Sequence, residues 1–574
     1  MPFLRPPAAA GIAAGAAALQ GAADLMSRQL ATMQSVFAMQ LAAMQPGAAV
    51  AAPAPEAQPQ AAPAPLPAPQ AAPAPAAVKP HPKKAAVEIK GLFKDFMKRS
   101  EFTPQQTAHA EKLAKVWNAL SPTSKRIAEL DRENLAGPRT MIGFKPEWKE
   151  LVYPLIVDHA EGAYVWDADG RRYIDVTGGF GAALFGHGPK FITEALEREL
   201  ATGWPLGPQR ERTGRVARKL CEITGQERAA FFTTGTESTM VATRLARAVT
   251  KKPLIAIFTG AFHGSFDGLL AAGWIEPDKK GFASVPITDG TTEGMVEDVI
   301  VLKYGEPDSL EVVKNNADRL AAVLVEPIQS RNPALQPEAF VKELRRITEE
   351  NDIALIFDEM ITGFRMAPGG MQEIWGVRAD MTTYGKVLGG GMPIGCVAGK
   401  RRFLDAIDGG AWHYGDESLP GVHTAFVAGT FNQHALSMAA AEAVLDRIAE
   451  EGPGLARRLA AMTEDLCRRC DALFEKYGAP VRTSHYGSLF RLEFREKSEI
   501  LDFHLLCDGI FVWEGRNCFL SAAHTEADVD AFVAAVEKGL KSMKDDGWFE
   551  PAQPEEGKKA SAAGEVRGSD FFTR

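Results

Sequence analysis

Cysteine is scarce in this sequence, with six residues among 574. So few thiols cannot form the dense disulfide framework of a small secreted domain, and they favour a reducing compartment. Basic residues are not in excess, because 64 Lys and Arg face 73 Asp and Glu for a net charge of -9. No overall positive field would draw the chain onto nucleic acid or an anionic membrane. We therefore expect neither as a partner.

Long hydrophobic runs are also missing. An apolar stretch follows Arg5, as in a secretory signal peptide, but it consists mostly of Ala and Gly and begins with Pro6 and Pro7. Beyond this stretch no window of about 18 uncharged apolar residues occurs, so no transmembrane span is predicted. We expect a cytoplasmic protein.

Proline is concentrated in one segment, since 12 of the 37 prolines lie in the Ala-Pro-Gln run of residues 46–82. Proline fixes φ and removes a hydrogen-bond donor, which predicts an extended spacer here. Apolar residues at helical spacing predict a helix over residues 23–44 just before it. The predicted organisation is a helix and Ala/Pro-rich linker (1–85), an N-terminal helical and small-domain region (86–215), a large domain (216–432), a C-terminal small domain (433–550) and a flexible tail (551–574).

Beyond residue 215, short apolar strands at 254–258, 321–325 and 354–357 alternate with helical patterns. That alternation predicts an α/β domain with a mostly parallel sheet. Helical periodicity also covers residues 104–135, 435–477 and 527–544, and an Asp-Gly turn predicts a hairpin over 163–176. Cys467 and Cys470 have metal-ligand spacing, but they fall inside a helical pattern with no second pair nearby, so no metal is expected.

Thr234, Gly235 and Thr236 join a strand end to the helical run at 239–249. The free N–H groups and positive dipole end of a helix N-terminus bind anions, so this turn is a candidate phosphate site. The alternative is a plain Thr N-cap with a Gly turn.

Three side chains follow predicted strands. Phe262, after the strand at 254–258, could stack on a flat ring or simply pack in the core, and His263 beside it suits a polar or packing role. Asp358 directly follows the predicted strand at 354–357. It would therefore lie at the carboxyl edge of the sheet, where α/β proteins bind ligands. A cap or an ion pair is the alternative for Asp358.

Lys386 lies among apolar residues and glycines, namely Gly385 and residues 389–391. We expect these glycines to leave room for a large planar ligand. Burial would lower the pKa of the amine and make it a nucleophile, whereas a surface lysine on a Gly turn is the alternative. A lysine to bond an aldehyde, an acid for a ring nitrogen, an aromatic for the ring face and a helix N-terminus for a phosphate are the parts of a pyridoxal phosphate (PLP) site.

With these parts in this order, the chain resembles class III aminotransferases, in the branch of the glutamate-1-semialdehyde aminomutases. The resemblance rests on residues 358–365, 382–395 and 165–188. It implies an α/β fold-type I PLP-dependent transferase, whose large domain has a mostly parallel sheet and whose smaller α+β domain combines N- and C-terminal segments. It also implies a homodimer, in which Gly429 and Thr430 reach the neighbouring subunit's cofactor, with Glu326 at the cofactor and Phe180 in the substrate pocket.

A narrower set of segments resembles the aminotransferase domains of hybrid polyketide and nonribosomal peptide synthases: residues 124–126, 143–154, 325–331, 404–416 and 428–431, together with the Ala/Pro linker. That likeness implies a β-ketoacyl acceptor on an acyl carrier protein and Gln or Glu as amino donor. Ornithine-type relatives carry Gln and Gly-Glu where this chain has Ile361 and Ser330-Arg331. Arg331 could instead bind a substrate carboxylate or a carrier-arm phosphate, or form a surface ion pair.

Three function classes follow: an aminotransferase of carrier-bound or free ketoacyl substrates, an isomerase that moves an amino group within one molecule, and an assembly module with a vestigial site. The pair Lys386 and Asp358 argues against the third, and the linker with residues 408–416 favours the first. In the predicted mechanism, Lys386 bonds the cofactor and then moves a substrate proton, while Asp358 keeps the pyridine nitrogen protonated.

Overall fold

The computed structural model describes residues 102–137, 144–275, 282–495 and 497–549. All of them belong to the unit of the chain that begins at Val87. The predicted helix and linker within 1–85 and the predicted tail at 551–574 lie outside the described residues.

The strands are numbered in chain order. They are β1 (Val157–Glu161), β2 (Tyr164–Asp167), β3 (Arg172–Asp175), β4 (Arg228–Phe232), β5 (Leu254–Phe258), β6 (Ala271–Ile275), β7 (Phe282–Pro286), β8 (Val299–Leu302), β9 (Leu320–Val325), β10 (Ala354–Asp358), β11 (Met381–Gly385), β12 (Gly395–Gly399), β13 (Val481–Tyr486), β14 (Leu489–Phe494), β15 (Ile510–Phe511) and β16 (Cys518–Phe519).

The α-helices are numbered in the same way. They are α1 (Pro104–Leu120), α2 (Pro122–Asp131), α3 (Gly178–Gly181), α4 (Lys190–Leu200), α5 (Glu211–Thr224), α6 (Gly235–Thr250), α7 (Glu293–Val296), α8 (Pro307–Asn315), α9 (Glu338–Glu350), α10 (Gly370–Trp375), α11 (Arg401–Asp408), α12 (Ala435–Glu451), α13 (Pro453–Tyr477), α14 (Leu501–Cys507) and α15 (Glu526–Asp545). Short 3-10 turns cover Pro146–Leu151, Asp267–Leu269, Lys386–Gly389 and Ser498–Ile500.

A seven-stranded sheet forms the centre of the large domain, in the order β4-β12-β11-β10-β9-β5-β8. Strand β12 is antiparallel to both neighbours, and the other four pairs are parallel. Six strands therefore point the same way, and their carboxyl ends share one edge. The predicted α/β class with a mostly parallel sheet is confirmed, and the continuous apolar strands fit a sheet covered on both faces.

The smaller α+β part combines both ends of the described chain, as predicted for the fold class. Its core joins Trp117 and Trp148 of the N-terminal segments to Phe490, Phe503 and Phe532 of the C-terminal segments. Two sheets contribute to this part, β1-β2-β3-β15 and β13-β14-β16. The predicted hairpin is the antiparallel pair β2 and β3.

Two predicted helices are each divided in two. The pattern over 104–135 breaks at Ser121, which has a φ of -135°, because Pro122 has no N–H to continue the helix and instead begins α2. The pattern over 435–477 breaks at Gly452, whose φ of 55° is one that glycine adopts without strain. Pro453 then begins α13.

All six cysteines are free thiols, and Cys467 and Cys470 lie within α13. Among the described residues there is no cluster of His, Cys, Asp and Glu that could hold a metal ion. Within that same part of the chain, no helix has the length and apolarity needed to cross a membrane.

Candidate active site

Asp358 occupies the end of β10, and its buried carboxylate is held by three donors. Oδ1 accepts from the hydroxyl of Thr383 at 3.0 Å and from the N–H of Met360 at 3.2 Å. Oδ2 lies 2.7 Å from Nδ1 of His263. A carboxylate offers about four acceptor positions. Within the described part of the chain one position of Asp358 is therefore left, on Oδ2.

His263 follows β5 and is almost wholly buried. Nδ1 of His263 lies 2.7 Å from Asp358, and Nε2 has no hydrogen-bond partner among the described residues. The carbonyl of His263 accepts from the hydroxyl of Thr239 at 2.8 Å, which ties the loop to α6. A buried polar atom without a partner is costly, so this one indicates a ligand.

Lys386 comes directly after β11, the strand that pairs with β10. In that pairing Asp358 is opposite Thr383, and Lys386 follows Thr383 by three residues. Lys386 therefore lies just beyond the strand end at which Asp358 is located. Burial lowers the pKa of the Lys386 amine, the charges of Asp358 and Glu326 oppose that effect, and the charge of Arg365 adds to it. A lowered pKa favours the neutral amine, which is the nucleophile and base.

Glu326 follows β9 and is buried. Its Oε1 accepts from the N–H of Ser330 at 2.9 Å, and its Oε2 accepts from the N–H of Phe262 at 3.2 Å. Burial raises the pKa of Glu326, and the negative charge of Asp358 raises it further. Glu326 thus joins the loop after β9 to the loop after β5.

The turn before α6 is a helix N-terminus with a capping box. The hydroxyl of Thr234 accepts from the N–H of Glu237 at 3.2 Å, and the carboxylate of Glu237 accepts from the N–H groups of Thr233 at 2.9 Å and Thr234 at 2.8 Å. The N–H of Thr234 is therefore occupied. The N–H groups of Gly235 and Thr236 belong to the first turn, which has no acceptors within the helix, and they are the donors for an anion.

The glycines around Lys386 do not all have the role predicted for them. A Cβ on Gly385 would lie 2.7 Å from the sulfur of Met360, one on Gly389 would lie 2.9 Å from Ile394, and one on Gly390 would lie 2.5 Å from Ile192. These three positions let protein atoms pack closely, so the prediction that they leave room for a ligand is wrong. Nothing lies within 4 Å of a Cβ built on Gly391.

Phe262 lies in the loop after β5, where its side chain is 54% exposed. The guanidinium of Arg331 is 5.7 Å from the centre of that ring. Burial lowers the pKa of Arg331, while the negative charge of Glu326 opposes this effect. Phe262 is accessible for stacking, and Arg331 places a positive charge beside it.

Phe180 lies in α3 with a φ of 55°, and its ring contacts that of Trp513 at 5.0 Å between centroids. Gly429 and Thr430 lie in the exposed segment of residues 411–434. The structure thus brings Asp358, His263, Glu326 and Lys386 together at the sheet edge, whereas Gly429 and Thr430 are on a surface of the same chain.

No sequence pattern indicated that Thr383 and Met360 would donate hydrogen bonds to Asp358. The alignment of Thr383 with Asp358 depends on strand register, which no local pattern revealed. The hydrogen bonds between Thr234 and Glu237 could have been predicted from the sequence, because Thr-x-x-Glu before a helix is the capping-box pattern.

The chain is similar to known proteins along most of its described length. The family model for Aminotransferase class-III matches residues 146–522. A glutamate-1-semialdehyde 2,1-aminomutase from Hyperthermus butylicus is 34% identical over 414 residues, which are 68% of this chain and 93% of that protein.

Solved structures agree with the match. An omega-transaminase from Sphaerobacter thermophilus superposes with a TM-score of 0.65 at 29% identity, covering 73% of this chain and 97% of that one. A transaminase solved with PLP bound gives a TM-score of 0.65 at 26% identity, covering 75% of this chain and 99% of the other.

The fold is that of the fold-type I PLP-dependent transferases. The chain belongs to the class III aminotransferases, and its cofactor is pyridoxal 5'-phosphate. The residues at the sheet edge fit that cofactor. Asp358 has an acceptor position left for a protonated ring nitrogen, Nε2 of His263 is buried without a partner, and the amides of Gly235 and Thr236 can receive a phosphate.

Proposed function

We propose that the enzyme transfers an amino group from glutamate or glutamine to the keto group of a β-ketoacyl thioester on a carrier protein, in polyketide or peptide natural product biosynthesis. The proposal rests on the position of Arg331. This residue is partly buried, and its guanidinium carbon lies 5.7 Å from the centre of the Phe262 ring. A guanidinium there suits a substrate with an anionic group. The carrier-bound acceptor rests on the sequence likeness to synthase-embedded aminotransferase domains.

We assign the cofactor-binding roles as follows. Asp358 holds the ring nitrogen in its protonated form, and His263 and Glu326 hold Asp358 and the loop of Phe262 in place. Bound PLP supplies the electron sink that stabilises negative charge on the substrate carbon. The N–H groups of Gly235 and Thr236 at the N-terminus of α6 would hold the phosphate, and Thr234 caps that helix through Glu237.

Lys386 is the proposed catalytic base. Its burial favours the neutral amine, which can take a proton from the donor carbon that bears the amino group. In the second half of the reaction the same amine would deliver a proton to the former keto carbon of the acceptor. Phe180 lines the proposed substrate pocket. Arg331 binds the carboxylate of the donor or the phosphate of the carrier arm.

The test is a mass-spectrometric assay of a β-ketoacyl carrier protein incubated with the holoenzyme and either glutamate or glutamine. Conversion of the ketone to an amine on the carrier arm supports the proposal. A turnover that occurs only with free keto acids contradicts the carrier-bound acceptor. Arg331→Ala should raise the KM of the substrate whose anion it binds, and unchanged kinetics with both tethered and free substrates exclude that role.

An isomerase is the second candidate, because curated relatives 30% to 34% identical to this chain are glutamate-1-semialdehyde 2,1-aminomutases. Formation of 5-aminolevulinate from glutamate 1-semialdehyde without an external donor would establish that activity. Amino transfer that depends strictly on an added amino acid would exclude it.

We also propose a homodimer. The segment of residues 411–434 exposes large apolar side chains, with Tyr414 at 91%, Phe426 at 82% and Leu419 at 78% exposed. Such a surface on one chain indicates an interface. Gly429 and Thr430 lie in the same segment and would complete the phosphate site of the second copy.

Sedimentation of Phe426→Asp tests the dimer. The variant should be monomeric and inactive, whereas Leu130→Asp, which places the same charge on an exposed leucine of α2, should stay dimeric. A monomeric active wild type would contradict the proposal. The free thiols of all six cysteines agree with the cytoplasmic location that we propose.

A further inference from the structure

Arg365 is a buried cation that has no role in the proposed cofactor site or mechanism. Its side chain is among the largest that are fully buried, and the residue is 2% exposed. No carboxylate of the described residues lies within ion-pair distance of it. Burial lowers the pKa of its guanidinium to about 9. An unpaired buried charge is costly, so its retention calls for a function.

The guanidinium joins three separate segments. Nη1 donates to the hydroxyl of Ser488 at 2.9 Å and to the carbonyl of Leu520 at 3.4 Å, and Nη2 donates to the carbonyl of Gly181. Its Cζ lies 4.9 Å from the centre of the Phe519 ring. Arg365 thereby fastens the end of α3 to the C-terminal strands.

The segment it fastens is strained. Gly178, Gly179, Phe180 and Gly181 all have a positive φ, between 50° and 89°. Three of them are glycines, but a positive φ is unfavourable for the aromatic residue Phe180, so the surroundings must enforce it.

Both ends of this segment are held by buried charges. At its start, Oδ1 of Asp175 accepts from the N–H of Thr177 at 2.7 Å and of Gly178 at 3.1 Å. At its end, Arg365 holds Gly181 against Phe519, where a Cβ on Gly181 would lie 2.9 Å from the ring. Between these two anchors Phe180 is held in its position.

We propose that Arg365 is a positioning residue: its guanidinium fixes the Gly178–Gly181 segment, and so Phe180. The proposal rests on the proposed role of Phe180 in the substrate pocket.

Three variants test this role. Arg365→Met removes both the charge and the hydrogen bonds, Arg365→Lys keeps the charge without the planar fork, and Ser488→Ala removes one acceptor and keeps the arginine. The matched control is Arg345→Met, because Arg345 pairs with Asp380 at 2.8 Å away from this segment.

The first measurement is hydrogen exchange of the peptide covering residues 176–184 in the holoenzyme. Exchange should be roughly tenfold faster in both Arg365 variants and modestly faster in Ser488→Ala, with no change in Arg345→Met. Exchange at the wild-type rate in Arg365→Lys and Ser488→Ala would overturn the positioning role, and these two variants decide the question even if Arg365→Met does not fold.

Kinetics form the second readout. Loss of the Phe180 position should raise KM in Arg365→Lys several-fold with little change in kcat, whereas a merely structural role would leave KM unchanged in the folded enzyme. Hydrogen exchange does not depend on the identity of the acceptor. A wrong acceptor therefore shows in the mass-spectrometric assay alone, and a wrong Arg365 role shows in these measurements.

Discussion

Two polar clusters in the described part of the chain have opposite characters. The sheet-edge cluster comprises Asp358, His263, Glu326 and Lys386 at the carboxyl ends of the central strands. The histidine cluster, made of His109, His504 and Asp546, lies between α1, α14 and the end of α15. There Nδ1 of His109 is 2.6 Å from Oδ2 of Asp546, and its Nε2 is 2.9 Å from Nε2 of His504.

The difference lies in which polar atoms remain unsatisfied. In the histidine cluster Asp546, His109 and His504 form a continuous chain of hydrogen bonds, and none of their buried nitrogen or oxygen atoms lacks a partner. In the sheet-edge cluster Nε2 of His263 has no partner in the described chain, and Asp358 keeps an acceptor position. A satisfied buried network contributes to stability, whereas an incomplete one is completed by a ligand. Substitutions in the two clusters should therefore have separable effects.

The largest expected effect is that of Lys386→Ala. The variant should lose the visible absorbance of lysine-bound cofactor, and kcat should fall by about 1,000-fold or more, because both nucleophile and base are removed. Stability should change little. Lys400→Ala, which removes a partly exposed lysine paired with Asp380, serves as the control. Amino transfer at the normal rate in Lys386→Ala would refute the assignment.

The second largest loss of activity is expected for Asp358→Asn. Asn has nearly the same shape but no negative charge, so the protonated ring nitrogen loses its counter-charge and kcat should fall by about 100-fold to 1,000-fold. The variant should keep its fold, since Thr383 and Met360 can still donate to the amide oxygen. Steady-state kinetics with circular dichroism separate the two effects, and a kcat near the wild-type value would exclude the role of Asp358.

The sheet edge could be predicted from sequence to a considerable degree. The predicted strands at 254–258 and 354–357, which precede His263 and Asp358, must bring their carboxyl ends to one edge when the strands are parallel. The strand before Lys386 was not among those predicted. The breaks at Pro122 and Gly452 also had visible local causes, although the prediction treated each pattern as one helix.

Other features depend on packing between distant segments. Thr383 contacts Asp358 through the register of β10 with β11, and the neighbours of Gly385 and Gly390 come from elsewhere in the chain. The histidine cluster joins residues 395 apart in sequence. A single sequence does not specify such pairs, because side-chain periodicity fixes only which face of an element is buried.

The histidine cluster should be the source of acid sensitivity. Burial and the neighbouring His109 lower the pKa of His504 from 6.5 to about 3 in the folded protein. The unfolded chain therefore binds more protons below pH 6.5, and the stability contribution, complete above that pH, is lost as the pH falls towards 3. The loss is about 1.4 kcal/mol per pH unit in this window.

His504→Gln tests this linkage, because glutamine can donate to His109 and does not titrate. In urea unfolding between about pH 6.5 and pH 5, the wild type should lose about 2 kcal/mol more stability than the variant. The activity of the variant at neutral pH should equal that of the wild type. Parallel losses in both proteins would show that His504 does not contribute to acid sensitivity.

The smallest effect is expected for two neighbouring threonines of β11. Thr383 and Thr382 are adjacent in β11 and both fully buried, but the hydroxyl of Thr383 donates to Asp358 at 3.0 Å, while that of Thr382 accepts from Gln226 at 3.1 Å. Each change to Val removes one buried hydrogen bond and should cost about 1 kcal/mol of stability. Only Thr383→Val should also lower kcat, by about tenfold, because only Thr383 orients the catalytic carboxylate. Equal kcat values for the two variants would show that the hydroxyl of Thr383 contributes to folding and not to the position of Asp358.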